Sequence, residues 1–547
     1  MRISVRINAA LTALVLASSL NHVQGNNCPK LYKKGMIHLD IRPAYLHIDD
    51  YKCPGDTEPT DGLTINSFFN VNFVQYGNKY VPSFPPFAPD QVGRICNMSN
   101  VDPHNFQATN FEKLTGNKTV WPNDSQRIPD GVLPFEGLIV PQGFLSAGVP
   151  GRLSIIRLDT PDRTEYIVHQ STRNSSLPPE SPGNKPRFYH RVLFHDMDDD
   201  GLLDIVTVRG SFGVGASSYP PNFAELVYFS NPGESIDPVT PWQEVVLYGG
   251  PLVGYNGPDI DLEMYDFEGD GVPEIVATHF YTGGGTIFPP INGKIALYGA
   301  PVNQTWASVN ANSIDTLPRV ATISDNQGFP FEIDIIDLNA DGKVDILATN
   351  HQSTDCSQNP TIPGRVYALQ QPASGDIFND IWPVRVLVDH LLPQPDMYGV
   401  SRSAPGHVVQ FYLNGKRPWI LVSGDQAGKV WLMKPKGRGW SYETNVIFDI
   451  NDYYGPLTTQ TVVNPGGYII STIGQPAIRY KDRGGNHQLR GRGNENVEIY
   501  IPVFEAKDIH VMTFEKGAKV DRLVCPDDVT LNCTIASMMF TQTKVFS

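Results

Sequence analysis

The chain has 547 residues, a formal net charge of -15, 40% hydrophobic and 10% aromatic residues, 49 glycines and 46 prolines. The acidic balance argues against nucleic acid as a partner, because phosphate binding uses a stripe of basic side chains. The many glycines, prolines and aromatic residues favour short strands joined by turns over a helical protein.

The first 25 residues have the features of a secretory signal peptide. Arg2 and Arg6 precede an apolar stretch over residues 7–20, and small residues end the segment at Gly25. The stretch of about 14 apolar residues is shorter than the 20 or so that a membrane span needs. We therefore predict a secreted, extracellular protein without a membrane span, from which residues 1–25 are removed.

The cysteines and the glycosylation sequons fit this compartment. An even number of cysteines follows the signal segment and allows up to three disulfides. They are Cys28, Cys53, Cys96, Cys356, Cys525 and Cys533. Sequence leaves the pairing open, although proximity favours Cys525 with Cys533. Six Asn-x-Ser/Thr triplets are typical of a glycoprotein. They begin at Asn97, Asn117, Asn123, Asn174, Asn303 and Asn532.

Residues 26–150 carry no sustained helical periodicity. Aromatic-rich runs such as residues 67–74 alternate with proline-rich turns such as residues 82–89, which favours strands and ordered loops. Residues 143–158 have the pattern of a turn followed by a strand. Residues 171–187 are rich in serine, proline and asparagine and are predicted to form a surface loop.

An acidic loop then lies between two short apolar runs. Its pattern is D-x-D-x-D-G-x-x-D, with Gly201 at position six. Positions one, three, five and nine are Asp196, Asp198, Asp200 and Asp204. Calcium takes six to eight oxygen ligands, which alternate carboxylates on a tightly turning backbone supply, and the Leu202 carbonyl is a further candidate ligand. The glycine permits the sharp turn. The loop is therefore predicted to bind calcium.

The pattern recurs 70 and then 71 residues further on. The second copy is Asp266, Glu268, Asp270, Gly271 and Glu274, and the third is Asp337, Asn339, Asp341, Gly342 and Asp345. An EF-hand needs a bidentate glutamate at position twelve, where this chain has Thr207, Ala277 and Ala348. The flanking runs are rich in β-branched residues and suit strands. We therefore predict about three calcium sites, each between two strands of a repeat fold.

These three copies resemble the FG-GAP or VCBS repeat family, over about residues 185–435. The resemblance implies an all-β, seven-bladed β-propeller with calcium loops between the first and second strands of several blades. A degenerate fourth copy at Gly415 has Gln410, Tyr412, Asn414 and Pro418 at ligand positions and is expected to bind no calcium. Asp130-Gly131, Asp61-Gly62 and Gly485 extend the spacing weakly.

About seven units of 70 residues fit the chain after the signal segment. Residues 26–520 are accordingly predicted to form the propeller, with degenerate blades at both ends. Closing the ring would join strands from the two ends of the chain. Residues 521–547 are predicted to form a disulfide-tied tail or closure.

The resemblance places the calcium loops on one face, so that other strand ends gather near a central funnel on the opposite face. Candidates at the ends of second strands are Arg209, His279, His351 and Asp425. Candidates at the starts of first strands are Asp259, Asp261, Glu332, Asp334 and His407. The two His279 and His351 imidazoles and Asp425 are candidate catalytic groups, and the remainder are candidate ligand-binding groups. The alternative is that the histidines are packing residues and that the aspartates brace turns.

Two functional hypotheses follow. The first is a binding protein for a glycan or an extracellular protein. The second is a carbohydrate-active lyase or dehydratase, because the repeat style is similar to the propeller of fungal aldos-2-ulose dehydratase, and residues 404–409 and Asp425 are compatible with that likeness. No H-x-H metal motif of the cupin type follows, so the likeness covers the propeller only. The H-E-x-x-H, G-x-S-x-G and Walker signatures are absent.

Overall fold

A computed structural model describes residues 31–514, with gaps in the description at fifteen short segments. These are residues 54–55, 69–71, 77–78, 84–89, 107–109, 117–118, 145–149, 172–186, 212–222, 281–292, 353–361, 394–403, 414–415, 455–472 and 481–496. The signal segment, the tail at residues 521–547 and Gly485 lie outside the described residues.

The described residues form seven small antiparallel sheets of four strands each, arranged in a ring. The protein is thus an all-β, seven-bladed propeller, as predicted. The first described strand, β1 (Leu31–His38), belongs to blade 7. Blade 1 contains β2 (Pro43–Tyr51), β3 (Thr60–Ser67), β6 (Gln91–Ile95) and β7 (Phe111–Lys113), with an inserted hairpin of β4 (Asn72–Tyr76) and β5 (Lys79–Ser83).

The next five blades each use four consecutive strands. Blade 2 contains β8 (Gln126–Arg127), β9 (Gly137–Pro141), β10 (Arg152–Arg157) and β11 (Glu165–Gln170). Blade 3 contains β12 (Phe188–His195), β13 (Asp204–Gly210), β14 (Ala224–Ser230) and β15 (Gln243–Tyr248). Blade 4 contains β16 (Leu262–Tyr265), β17 (Glu274–His279), β18 (Lys294–Gly299) and β19 (Arg319–Ser324). Blade 5 contains β20 (Phe329–Ile336), β21 (Asp345–His351), β22 (Arg365–Leu369) and β23 (Val384–Val388). Blade 6 contains β24 (Val408–Phe411), β25 (Trp419–Ser423), β26 (Lys429–Pro435) and β27 (Tyr442–Asp449).

Blade 7 closes the ring with strands from both ends of the described chain. Its strands are β28 (Ala477–Tyr480), β29 (Val497–Val503), β30 (Asp508–Phe514) and β1. The outer strand β1 pairs antiparallel with β30, from Leu31 opposite Phe514 to His38 opposite Asp508. The expected joining of the two ends within one sheet is therefore confirmed.

Helical structure is limited to single turns in the part of the chain that the structure describes. The only α-helical turn there is α1 (Asn451–Tyr454). Short 3₁₀ turns lie at Met98–Asn100, Gly233–Ser235, Pro251–Val253, Trp306–Ser308 and Ile314–Thr316. No helix among these residues is long and apolar enough to cross a membrane.

The core lies between the blades and follows from the strand sequences. Second strands such as β13, β17 and β21 are buried along their whole length, because a neighbouring blade covers each face. Seven apolar clusters each combine side chains from two adjacent blades. Between blades 3 and 4, for example, Val206 and Leu226 pack with Ala277 and Trp306. Hydrophobic burial therefore holds neighbouring blades together all around the ring.

One disulfide is described, between Cys53 and Cys96 of blade 1. It ties the chain just after β2 to the chain just after β6, which are not neighbouring strands of the sheet. The other four cysteines lie outside the described residues, so the favoured pair of Cys525 and Cys533 stays a prediction.

Candidate functional site

The three acidic loops occupy equivalent places in blades 3, 4 and 5. Each connects the first strand of its blade to the second, so strand, loop and strand follow one another as predicted. The position-six glycines Gly201, Gly271 and Gly342 have φ angles of 88°, 89° and 91°, in the left-handed region that favours glycine. The three loops therefore turn in the same way.

The aspartate at position one organises each loop by accepting backbone hydrogen bonds. Asp196 accepts from the amide of Gly201 at 2.9 Å, Asp266 from Gly271 at 2.9 Å and Asp337 from Gly342 at 3.0 Å. Carboxylates at position five each accept from the amide two residues on, which comprises Asp200 with Leu202, Asp270 with Val272 and Asp341 with Lys343. In blade 5, Asn339 at position three also accepts from the Asp341 amide.

The donor set of blade 3 fits a calcium ion. One oxygen each of Asp196, Asp198 and Asp204 lies within 4.8 Å of the other two, the one such acidic or histidine group among the described residues. Asp198 Oδ1 is buried and has no hydrogen-bond partner there. Burial raises the pKa of Asp204 to about 6, and the charges of Asp198 and Asp200 add to the rise. A bound divalent cation would compensate both the unpartnered oxygen and the crowded charge.

The position-nine carboxylate of blade 5 resembles that of blade 3, whereas the loop of blade 4 differs. Asp345 at position nine is 1% exposed, and its Oδ1 makes no well-formed hydrogen bond within the described chain, although the Gln371 amide acts to lower its pKa. In blade 4, Glu274 is also buried, but Glu268 forms an ion pair with Arg319 at 2.6 Å. The residues of blade 3 thus fit calcium well, and blade 5 shares its buried position-nine carboxylate. In blade 4, the Arg319 guanidinium already pairs with Glu268.

Charged side chains from several first strands meet at the centre of the ring around Arg191 of β12. The Arg191 guanidinium lies 2.7 Å from Asp124, 2.9 Å from Asp261 and 3.3 Å from Glu332, which come from blades 2, 4 and 5. Glu263 of β16 lies 3.7 Å away. We call these five residues the central cluster. It joins four blades through one guanidinium.

Histidines extend the central cluster. His407 Nδ1 lies 2.5 Å from Glu332 Oε2, and His47 pairs with Asp124. Tyr45 of β2 packs its ring edge-on against His407, with centroids 5.1 Å apart, and its hydroxyl lies 3.4 Å from His190 Nε2. The cluster therefore combines carboxylates, imidazoles and a phenol, which are the groups that bind hydroxylated ligands or transfer protons.

Carboxylates outnumber the arginine in this region, and their pKa values reflect that imbalance. Burial, with the repulsion of neighbouring carboxylates, raises the pKa of Asp261, Glu263 and Asp334 against the opposing effect of Arg191. Burial also opposes ionisation of Asp124, but Arg191 and His47 hold its pKa well below the usual range. The Arg191 guanidinium is thus fully engaged by surrounding carboxylates, while burial suppresses the ionisation of several neighbouring carboxyl groups.

An aromatic layer lies beside the central cluster, where second strands end. Phe331 stacks on His351 with centroids 4.5 Å apart and meets His407 edge-on at 5.1 Å. Its cluster comprises Phe68, Val120, Trp121, Phe144, Phe188, Ile260, Phe280 and Phe331. Phe68, Phe280 and Phe331 keep part of their surface exposed. We call these three residues the aromatic floor.

Asp425 and His351 form a second pairing at this layer. Asp425 Oδ2 lies 3.8 Å from His351 Nε2, and the Asp425 backbone is left-handed with φ of 44°, which is a strained conformation for aspartate. Burial raises the pKa of Asp425 to about 7, against the opposing effect of His407. Burial lowers the pKa of His351 to about 3, and His407 adds to the fall. Near neutral pH, His351 is therefore uncharged and Asp425 is poised to exchange a proton.

Three residues that were predicted to line the funnel form their contacts within their own blades. Arg209 is buried and pairs across its sheet with Glu225 at 2.8 Å and Glu244 at 2.7 Å. His279 Nε2 lies 2.6 Å from the Tyr298 hydroxyl, and burial holds its pKa well below the usual value. Asp259 accepts a hydrogen bond from the Phe280 amide at 2.7 Å. The structure thus brings together Asp261, Glu332, His407, His351 and Asp425, and burial, with the charge of Glu332, raises the pKa of Asp334.

The sequence reasoning missed Arg191, Asp124, His47 and Tyr45. For Arg191 a signal existed, because it precedes its acidic loop by five residues, as Asp261 and Glu332 precede theirs. Blades 4 and 5 carry an acidic side chain at that position, so the arginine of blade 3 did not match their pattern. Asp124, His47 and Tyr45 belong to blades without an acidic loop, so no motif fixed their register.

Comparisons with known proteins yield fold-level likeness only. No family model and no curated protein matches the chain. The GH93 α-L-arabinofuranosidase of Fusarium graminearum, in complex with arabinobiose, is similar at 10% identity and a TM-score of 0.36, over 72% of this chain and 93% of that chain. A puromycin-hydrolyzing peptidase of Mycobacterium tuberculosis is similar at 10% identity and a TM-score of 0.38, over 91% of this chain and 58% of that chain. Likeness at this level carries no argument about function.

Proposed function

We propose that the protein is a secreted, calcium-stabilised β-propeller of the FG-GAP or VCBS type that binds a glycan at its centre. The calcium part is supported by the three equivalent loops, by the buried, unpartnered Asp198 Oδ1 and by the buried position-nine carboxylate of Asp345. In blade 3 the ion would be held by Asp196, Asp198, Asp200 and Asp204 with the Leu202 carbonyl. Bound calcium would neutralise carboxylate repulsion and stabilise the folded state by mass action.

Chelation followed by calcium titration tests this part. Protein stripped with EGTA should gain thermal stability when calcium is restored, by about 2.7 kcal/mol for each site at a hundredfold excess over its dissociation constant. Asp198→Asn should remove one binding event. Asp325→Asn is a matched control, because Asp325 is an exposed aspartate outside the loops. A stability unaffected by calcium would contradict the proposal.

The glycan part rests on one observation, the aromatic floor beside buried hydrogen-bonding groups. Aromatic rings pack against the apolar faces of sugars, and the carboxylates and imidazoles of Glu332, His407 and Asp425 accept hydrogen bonds from hydroxyls. The charges around Arg191 indicate which class of glycan would bind. Arg191 is already paired with carboxylates, so the centre offers little to a uronate and favours a neutral or cationic glycan.

Binding measurements with matched variants test the glycan part. Neutral oligosaccharides should bind the full chain more tightly than oligouronates of the same length. Phe331→Ala should weaken that binding at least tenfold. Phe135→Ala is the control, because Phe135 lies on the β8–β9 connection and stacks on Tyr166 at 4.8 Å. Equal losses in the two variants, or preferential binding of oligouronates, would refute the assignment.

A second candidate function, a lyase or dehydratase acting on a neutral keto-sugar, is favoured by the pairing of Asp425 with His351. A neutral imidazole next to a carboxyl with a pKa of about 7 is suited to removing and returning protons. His351→Ala should then abolish turnover of a keto-sugar in protein that still folds. Glycan binding without any turnover would favour the first function alone.

A further inference from the structure

The carboxylates of the blade 4 acidic loop pair with an arginine that lies outside the loop. Arg319, the first residue of β19, places its guanidinium on Glu268, with Nη2 2.6 Å from Oε2 and Nη1 3.2 Å from Oε1. The same Nη2 lies 3.8 Å from Glu274 Oε1. Arg319 therefore spans positions three and nine of the loop, two of the carboxylates expected to hold calcium.

Neighbouring groups fix the guanidinium in this place. Arg319 Nε donates to the Ala300 carbonyl at 2.8 Å, and the guanidinium lies 4.1 Å from the centroid of the Phe378 ring. Gly299 leaves the space for this arrangement, since a Cβ there would come within 2.9 Å of Arg319 Nη2 and 2.5 Å of the Phe378 ring. A stacked, bidentate arginine is a preorganised partner for a carboxylate.

The other two loops contain no such partner. No ion pair formed by the described residues involves the loop carboxylates of blade 3 or blade 5, whereas both loops contain a buried oxygen without a well-formed hydrogen bond. Asp198 Oδ1 and Asp345 Oδ1 are those oxygens. Blade 2 shows the opposite case. Its loop lacks the full acidic pattern, and Arg127 pairs there with Asp130 at 2.5 Å and with Glu136 at 3.5 Å.

We propose that Arg319 competes with calcium for Glu268 and Glu274, which makes blade 4 the weakest of the three calcium sites. This inference rests on the proposed calcium binding. A guanidinium already neutralises part of the carboxylate charge, so an arriving ion gains less from these ligands and must displace or share them. The arginine neutralises part of the charge of the blade 4 loop at calcium concentrations that fill blades 3 and 5 only.

Calcium titration of the stripped full chain by isothermal calorimetry tests the proposal. Wild type should show two tighter events and a third that is about tenfold weaker, and Glu274→Gln should remove the third alone. Arg319→Gln should tighten that event about tenfold and leave the other two unchanged. Glu268→Asp, which shortens the side chain away from Arg319, should act in the same direction and provides the test should Arg319→Gln fold poorly.

Arg385→Gln is the matched control, because Arg385 lies on β23, the equivalent outer strand of blade 5, and contacts the Gln370 side chain. It should leave all three dissociation constants unchanged. Three equal events in wild type, or constants unaffected by both Arg319→Gln and Glu268→Asp, would overturn the role of Arg319 while calcium binding stands. Absence of any calcium binding would overturn both proposals.

Discussion

Replacing Arg191 by methionine should be among the most destabilising single changes in this protein. Methionine matches the arginine side chain only as far as Nε and lacks the charged guanidinium that lies 2.7, 2.9 and 3.3 Å from Asp124, Asp261 and Glu332. Two unit charges 4 Å apart attract by about 4 kcal/mol at an effective dielectric of 20, and desolvation offsets part of each contact. Removing one partner of a buried ion pair typically costs about 3–5 kcal/mol, so we expect Arg191→Met to lose about 4 kcal/mol at pH 8.

The loss should shrink in acid. Asp261 and Asp334 have folded-state pKa values raised by burial above their unfolded values. Such groups favour the folded state fully below the unfolded pKa and lose that contribution as pH rises through the folded pKa. Without Arg191 these pKa values rise further. At pH 5 the folded variant therefore carries fewer repelling carboxylates, and its deficit relative to wild type should fall by at least half.

Urea unfolding at pH 8 and pH 5 measures both effects. Arg157→Met is the control, because Arg157 forms an exposed pair with Asp159 and should cost less than about 1 kcal/mol at either pH. A deficit below 1 kcal/mol for Arg191→Met at pH 8 would refute the role of Arg191 as the central counter-charge. An equal deficit at the two pH values would refute the electrostatic explanation.

Two further predictions concern the disulfide of blade 1 and the outer strand β1 of blade 7. Replacing Cys53 and Cys96 together by alanine should lower stability by about 4 kcal/mol, the loop-closure value for a separation of 43 residues, and an unchanged urea midpoint would contradict this. Deleting residues 31–38 should lower the thermal midpoint far more than deleting residues 26–30, because β1 pairs with β30 along its length and buries Ile37. Equal midpoints for the two deletions would show that β1 does not secure the ring.

The fold was predictable because three loops carry the same local chemistry at one spacing. The extension to the remaining blades had mixed results. Asp130-Gly131 lies in the β8–β9 connection, where Gly131 has φ of 88°, so it occupies the place that the spacing predicted. Asp61-Gly62 lies inside β3 and pairs with β2, because the preceding connection ends earlier. The inserted hairpin β4–β5 had no recognisable signal beyond its aromatic residues.

The candidate site was predictable only in blades where the loop motif fixed the position of each residue along its strand. Asp261, Glu332 and His407 were found in this way, and each contributes to one connected set of ion pairs with Arg191. The same motif spacing selected Arg209 and His279 at the ends of second strands, yet their side chains pair within their own blades. Position along a strand fixes the end of the propeller at which a side chain lies, but not which neighbour it pairs with.

The acidic loops repeat from blade to blade, whereas the residues at the centre of the ring do not, and this difference has a physical cause. Each acidic loop forms its organising hydrogen bonds within itself, so the same residues can be used in blade after blade, and the repetition reveals the fold. At the axis, equivalent positions meet one another, and Arg191, Asp261 and Glu332 all precede their loops by five residues. Three carboxylates there would repel at close range and three arginines equally so. A close set of charges at these positions is therefore stable only when both signs are present, as Arg191 provides between Asp261 and Glu332. Arg191 interrupts the acidic repeat for this reason, and repeat analysis alone passes over it.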